Sequence, residues 1–193
     1  MASWEAMMGR RAKVFGLLAV FTLSSLVSCT SLKLTDSYDP QIEKVVNDYH
    51  EKVVAFVTKM ELNVGLQEGE FSNSDVIDFY ARSQGQLTNL VVRAEAVSTV
   101  NSCTPGKLLT SAIPQFVTSV NEQTSIAGLQ VDSIDLNSGS CTVVVLKSLL
   151  ADQLALQAAH KKNKFLRPPL STLHLGLIED GTRLALQNEQ AKK

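Results

Sequence analysis

Two long stretches of the chain place apolar residues at alternating steps of three and four, the spacing of an amphipathic helix. The first begins at Asp39, which can cap a helix, followed by Pro40 at the first helical position, and it ends near Gly65. The second begins at Ser74. Their apolar positions are Ile42, Val46, Tyr49, Val53, Phe56 and Met60 in the first, and Val76, Tyr80, Leu87, Leu90, Ala94 and Val97 in the second. A short polar connection between two such helices predicts a long antiparallel hairpin.

The middle of the chain carries no continuous helical pattern. Residues 101–106 include a cysteine, a proline and a glycine and are predicted as a loop. Residues 107–130 are interrupted by Pro114 and are expected to hold one or two short helices. Residues 131–140 are predicted as an exposed loop, so this middle part forms an irregular crossover.

Two further helices are predicted, over 142–161 and 171–190. The apolar opening of the first could also be a strand, but the strong helix formers that follow favour a helix. The last helix is expected to turn Leu173, Leu177 and Leu184 towards the core, together with Ile178. The predicted fold is an all-α helical bundle of about four main helices.

Composition and charge limit the classes of partner. The chain has 193 residues, of which 45% are hydrophobic and 19% charged, and its net charge is −1. It has no basic excess, so we expect no nucleic-acid partner. The charge is uneven, at −5 over 33–100 and +4 over 147–193. We expect the acidic hairpin to pack on the basic C-terminal helices, the alternative being a basic face that meets anionic lipid or a cell-wall polymer.

The N-terminal region has the layout of an export signal. Basic residues at positions 10, 11 and 13 precede an uncharged stretch over 14–27. This stretch is too short for a membrane-spanning helix, which needs about 20 residues. It ends in the sequence Leu26, Val27, Ser28, Cys29. These four residues resemble the lipobox of bacterial lipoproteins.

The resemblance implies how the chain is processed and where it resides. Residues 1–28 would be a signal peptide cleaved between Ser28 and Cys29, and Cys29 would carry the acyl chains that bind the membrane. Residues 29–38 would then be a lipidated tether, and 39–193 a single helical domain. Several acyl chains on one cysteine give stable anchoring. In lipoproteins of this kind an aspartate directly after the lipidated cysteine favours retention in the inner membrane. That position is Thr30 here, which indicates the periplasmic face of the bacterial outer membrane, with the inner membrane as the alternative.

Assigning Cys29 to lipid leaves Cys103 and Cys141. An even pair in an oxidising compartment predicts a disulfide. The bond would close a loop of 38 residues and stabilise the fold by roughly 4 kcal/mol. The alternative is two buried thiols.

No pattern of a catalytic, metal or cofactor site is found in the sequence. A di-iron centre in a bundle needs Glu-x-x-His pairs, and none of His50, His160 and His174 has a glutamate three residues before it. Haem-attachment, nucleophile-elbow and phosphate-loop motifs are also missing. We therefore expect His50 on the surface, His160 near a helix end where its charge suits the helix dipole, and His174 at the core boundary.

Two functions remain open from the sequence, and a third class is less favoured. The first is a non-enzymatic interaction or structural module of the envelope, with an envelope protein as partner. The alternative is a small-ligand binder with an apolar pocket between the hairpin and the later helices. Gly85 and Gly181 would either make room for that pocket or only allow close helix packing. The third is an enzyme whose active site follows no known motif.

Overall fold

The computed structural model describes residues 37–107, 109–130 and 132–193. The predicted signal peptide, Ser28 and Cys29 lie outside these ranges. Over the described ranges 70% of the residues are helical and none is in a strand, which confirms the all-α class. The helices are α1 (Pro40–Leu62), α2 (Ser74–Val97), α3 (Ala112–Ile126), α4 (Cys141–Asn163) and α5 (Leu170–Gln190), with a 3-10 turn at Gln67–Gly69.

The starts of α1 and α2 are fixed by side-chain caps. The Asp39 carboxylate accepts a hydrogen bond from the backbone N–H of Gln41, and Pro40 is the first helical residue. Asn73 caps α2 by accepting from the N–H of Asp75. Each cap satisfies a donor that the first helical turn leaves unpaired.

The predicted apolar stripe of α1 is buried over its whole length. The stripe of α2 departs from prediction at two positions. Ser83, which interrupts the apolar pattern, is buried, whereas Val97 in the last turn is 39% exposed. The chain leaves the helix immediately after Val97, so this last position has no neighbouring helix to cover it.

The prediction that Pro114 breaks the middle segment was wrong. Pro114 is the third residue of α3, a continuous helix of 15 residues. A residue in the first turn has no intrahelical partner for its N–H, so proline loses nothing there.

Helix α4 lies at the centre of the bundle and packs against α2, α3 and α5, while α1 packs against α2 and α5. Its buried residues lie on nearly all sides instead of along one stripe, as expected of a central helix. Of the helices in the described residues, α4 is long and apolar enough to cross a membrane. However, 72% of its apolar window is buried inside the protein, as in the core helix of a globular domain. The buried apolar side chains of all five helices form one cluster.

The bundle has two ends, about 35 Å apart along the 23 residues of α1. At one end, the backbone N–H of Asp39 donates to Glu189 near the end of α5. We call this the entry end. At the other, Ser171 at the start of α5 donates to Glu61 near the end of α1. We call this the far end, and the loop that follows α4 also lies there, because the N–H of Phe71 donates to the carbonyl of Lys164.

Candidate functional site

The chain enters the helical domain at the entry end, where Asp39 is buried. Arg93 forms an ion pair with Asp39, with Nε 2.6 Å from Oδ2. The hydrogen bond from Arg93 lowers the pKa of the Asp39 carboxyl group, against the effect of partial burial. The predicted lipid site, Cys29, lies outside the described residues, but its tether would reach the domain at this end.

Glu189 connects three helices at the entry end. Its side chain is fully buried. Oε2 accepts from the backbone N–H of Asp39 at 3.0 Å, and Oε1 accepts from the hydroxyl of Thr142 at 2.6 Å. Lys192 completes the group with an ion pair of 2.5 Å. Since every partner is a donor, the buried carboxylate is well compensated.

The predicted disulfide between Cys103 and Cys141 is present in the structure. Both half-cystines are buried. The bond ties the loop after α2 to the first residue of α4, and the N–H of Cys103 donates to the carbonyl of Leu136. It therefore holds the crossover against the entry end of the central helix.

The far end carries exposed apolar and basic side chains. Leu62 is 78% exposed and Ile126 is 72% exposed. The members of this far-end surface are Leu62, Leu66, Ile126, Leu173, Lys161, Lys162, Lys164 and Arg167. Two acidic residues, Glu68 and Asp75, are exposed at the same end. Large apolar side chains left exposed at one end of a domain are typical of a surface that meets a partner.

Asp152 and His174 form a buried pair between α4 and α5. Oδ1 of Asp152 lies 2.7 Å from Nδ1 of His174. The two side chains are 0% and 3% exposed. Burial raises the pKa of Asp152, and the hydrogen bond to His174 opposes that rise. The second carboxyl oxygen, Oδ2, has no hydrogen-bond partner among the described residues. The prediction of His174 as a boundary residue was wrong.

His160 lies in the last turn of α4, as predicted, but it is buried there rather than exposed as a charge at the helix end. Its Nδ1 lies 3.1 Å from the hydroxyl of Tyr80, and its Nε2 lies 3.1 Å from the carbonyl of Gly69. Burial lowers the pKa of His160 and raises that of Tyr80. A neutral imidazole that accepts from Tyr80 and donates to Gly69 fits both partners. His50 lies half-buried on α1.

Gln153 is a further buried polar residue of α4. Its Oε1 accepts from the hydroxyl of Tyr49 at 2.8 Å, and both residues are buried. Among the described residues, Nε2 of Gln153 and Oγ1 of Thr182 on α5 have no hydrogen-bond partner. The central helix thus carries several buried polar groups whose hydrogen-bonding capacity is only partly used.

A pocket of about 100 Å³ lies at the far end between α3, α4 and α5. Its wall includes Gln123, Ile126, Lys162, Asn163, Leu170 and His174. None of the described residues that line it is acidic. Nε2 of His174 makes no hydrogen bond to any residue that the structure describes. Ser171, one turn before His174, donates its hydroxyl hydrogen to Glu61 rather than to the imidazole.

A larger open groove of about 560 Å³ runs along the surface between α1 and α2. Its charged members include Lys52 and Arg82, and Arg82 is paired with Asp78. Gly85 faces open space beside it. Gly181 is packed tightly instead, because a methyl group there would lie 2.5 Å from both Leu149 and Phe116. Neither glycine makes room for an internal pocket, so Gly181 serves close helix packing.

Within the described residues, no group of three or more histidine, cysteine, aspartate or glutamate side chains could hold a metal ion. Comparison of the chain with protein-family models, with curated proteins and with solved structures finds no match.

Sequence reasoning missed the pair of Asp152 and His174. One signal for it was available. Asp152 stands in the one described helix that is long and apolar enough to cross a membrane, where a charged residue is rare unless it has a partner. His174 lies three and four residues before Leu177 and Ile178, on the face that turns inwards.

Proposed function

We propose that the protein is a lipid-anchored lipoprotein of the bacterial envelope, held at the periplasmic face of the outer membrane by acyl chains on Cys29. It acts there as a non-enzymatic interaction or structural module. The observation that carries the proposal is the arrangement of the bundle's two ends. The chain from the predicted anchor enters at one end, and exposed apolar side chains stand among charged ones of both signs at the other.

The short tether determines which end of the bundle lies near the membrane. Residues 29–38 reach at most about 35 Å when fully extended. The entry end therefore stays near the membrane, and the far-end surface can extend towards partners beyond the headgroup region. Leu62 and Ile126 stand at that end, with Lys162 beside Ile126 in the pocket wall. Exposed apolar anchors suit a partner that presents an apolar patch of its own.

We also propose a finer description of the fold. The four main helices are α1, α2, α4 and α5, with α3 as part of the crossover, and α1 and α2 form an antiparallel hairpin. Two contacts support the hairpin. Asp39 before α1 pairs with Arg93 near the end of α2, and Phe56 late in α1 stacks on Phe79 early in α2 with ring centroids 3.6 Å apart.

The anchor is tested by the intact mass of the protein purified from membranes, with and without reduction and alkylation. We expect loss of residues 1–28, added acyl mass on the new N-terminal cysteine, and two further cysteines that react only after reduction. The Cys29→Ser variant is the matched control and should leave the membrane fraction. A full-length, lipid-free chain would overturn the anchor.

The interaction surface is tested by photo-cross-linking in intact cells. A photoreactive residue at Leu62 or Ile126 should give a defined adduct with an envelope protein. The same residue at Val92 is the control, because Val92 is an exposed apolar position on α2 away from the far end. Adducts that form equally from all three positions, or that persist unchanged for Cys29→Ser, would contradict the proposed surface.

Ligand binding is the alternative function, and one observation favours it. The pocket of about 100 Å³ between α3, α4 and α5 brings a buried histidine to a surface opening. It lies elsewhere than the pocket expected between the hairpin and the later helices.

A further inference from the structure

We propose that the pocket between α3, α4 and α5 binds a small carboxylate, with Lys162 and His174 as the groups that recognise its charge. This inference rests on the alternative function above and does not depend on the lipid anchor. It assigns the chemical class of the ligand and the side chains that bind it.

The charge of the pocket wall favours an anion. Lys162 supplies a permanent cation, and none of the described residues that line the pocket supplies a negative charge. Gln123 adds an amide at the same wall. An amine or metal cation would be repelled by Lys162, whereas a carboxylate gains a charge-assisted hydrogen bond.

Asp152 prepares His174 for this role without lining the pocket. Its carboxyl group lies against Nδ1 and fixes the orientation of the ring. A proton on Nε2 makes that nitrogen a donor towards the pocket, while Nδ1 stays in contact with Asp152. Nε2 is the ring nitrogen that the described residues leave unbonded, so it is available to a ligand oxygen.

The size and walls of the pocket select a short ligand. A volume of about 100 Å³ holds about three water molecules, and therefore a carboxyl group with one or two carbons. Ile126 and Leu170 provide apolar walls for those carbons. Larger acids would have to leave most of their length outside.

Two sources can supply such a group: a free short-chain acid, or the terminal carboxylate of a peptide chain that projects into the pocket. The pocket opens at the far-end surface, because Ile126 belongs to both. A chain end could therefore enter while the rest of its partner lies on that surface.

The experiment uses the purified full chain and saturation-transfer NMR, with acetate, propionate, N-acetylalanine and N-acetylalanine amide as probes. Acetate and propionate test the free acid, and N-acetylalanine tests the chain end. The amide is the control because it has the same shape without the charge. We expect saturable binding of at least one carboxylate and none of the amide. Acetate without N-acetylalanine indicates a free acid, and binding of N-acetylalanine indicates a chain end.

Lys162→Met and Lys161→Met are the matched variants. Both lysines are exposed at the end of α4, but only Lys162 lines the pocket. Loss of one charge-assisted hydrogen bond should weaken binding about tenfold for Lys162→Met, with little change for Lys161→Met. Equal weakening by both variants, equal binding of the amide, or no saturable binding would overturn the proposal. Retained binding in Cys29→Ser would separate this site from the anchor.

Discussion

Oδ1 of Asp152 lies 2.7 Å from Nδ1 of His174, and the contact is closed off from solvent between the central helix and α5. A buried hydrogen-bonded pair of polar side chains contributes little net stability when intact, because the cost of desolvation offsets the attraction. Removal of one partner leaves the other uncompensated. The pair therefore imposes one alignment of α4 against α5 and orients the imidazole at the pocket.

Asp152→Ala should lower the free energy of unfolding by about 1–3 kcal/mol, because Nδ1 of His174 would lose its buried hydrogen-bond partner. Urea denaturation followed by circular dichroism measures this. Asp78→Ala is the control, since Asp78 pairs with Arg82 on the exposed face of α2 and should cost about 0.3–0.5 kcal/mol. Similar losses in the two variants would show that the Asp152 pair is not the buried contact described.

Gly181→Ala and Gly85→Ala should have opposite effects on stability. An added methyl group at position 181 meets Leu149 and Phe116, so overpacking should cost about 1–3 kcal/mol. At position 85 the methyl group meets open space within α2, so helix propensity should stabilise the fold by about 0.5–1 kcal/mol. Thermal unfolding of the two variants measures the difference. A neutral or stabilising Gly181→Ala would contradict the close packing of α3, α4 and α5.

Glu189→Ala should lower the free energy of unfolding by about 3 kcal/mol, since three donors lose a charged acceptor. The backbone N–H of Asp39 and the hydroxyl of Thr142 would be left unpaired. Glu179→Ala is the control on the same helix and should change stability by less than about 0.5 kcal/mol, because Glu179 is exposed. Chemical denaturation of both variants measures the two losses of stability. Equal losses would show that Glu189 is solvated and not buried among its donors.

Acidification should weaken the fold through His160. Burial lowers the pKa of His160 in the folded protein, so below its ordinary value of about 6.5 the unfolded chain binds more protons. This contribution is complete above that pH and is lost as the pH falls through the lowered pKa. The raised pKa of Asp152 acts in the opposite sense, because its carboxyl group takes up a proton in the folded protein before it does in the unfolded chain.

Unfolding free energies measured from pH 7.5 down to 5.5 test this dependence. His160→Gln should make the curve flatter, because glutamine does not titrate. If the slope of His160→Gln matched that of the wild type, the buried neutral histidine would not be its source.

The helices of the bundle were predictable where their signals are local. The stripe that includes Val46 and Val53 repeats within one helix, and Asp39 followed by Pro40 marks its start. The disulfide followed from counting cysteines once Cys29 was assigned to lipid. These inferences need no knowledge of distant neighbours.

The buried polar groups were not predictable in the same way. His160 finds its partners in Tyr80 and Gly69, which are 80 and 91 residues away in the chain. In α5 the residue types were misleading, since Leu173 is 43% exposed while the adjacent His174 is buried. The helical spacing from Leu177 places His174 on the inward face of α5. A buried histidine can be predicted only when its hydrogen-bond partner is known, and here that partner lies on another helix.

The carboxylate of Glu189 also determines how the domain would carry load. A pull on the predicted anchor reaches the bundle at Asp39, whose backbone bonds to Glu189 on α5, and the other oxygen of the same carboxylate binds Thr142 on α4. The force would therefore be transmitted to α1, α4 and α5 together, and α1 would not be pulled away from the bundle alone. Arg93 adds α2 as a fourth attachment through Asp39. The contacts that would resist a pull on the predicted tether are therefore grouped at the entry end.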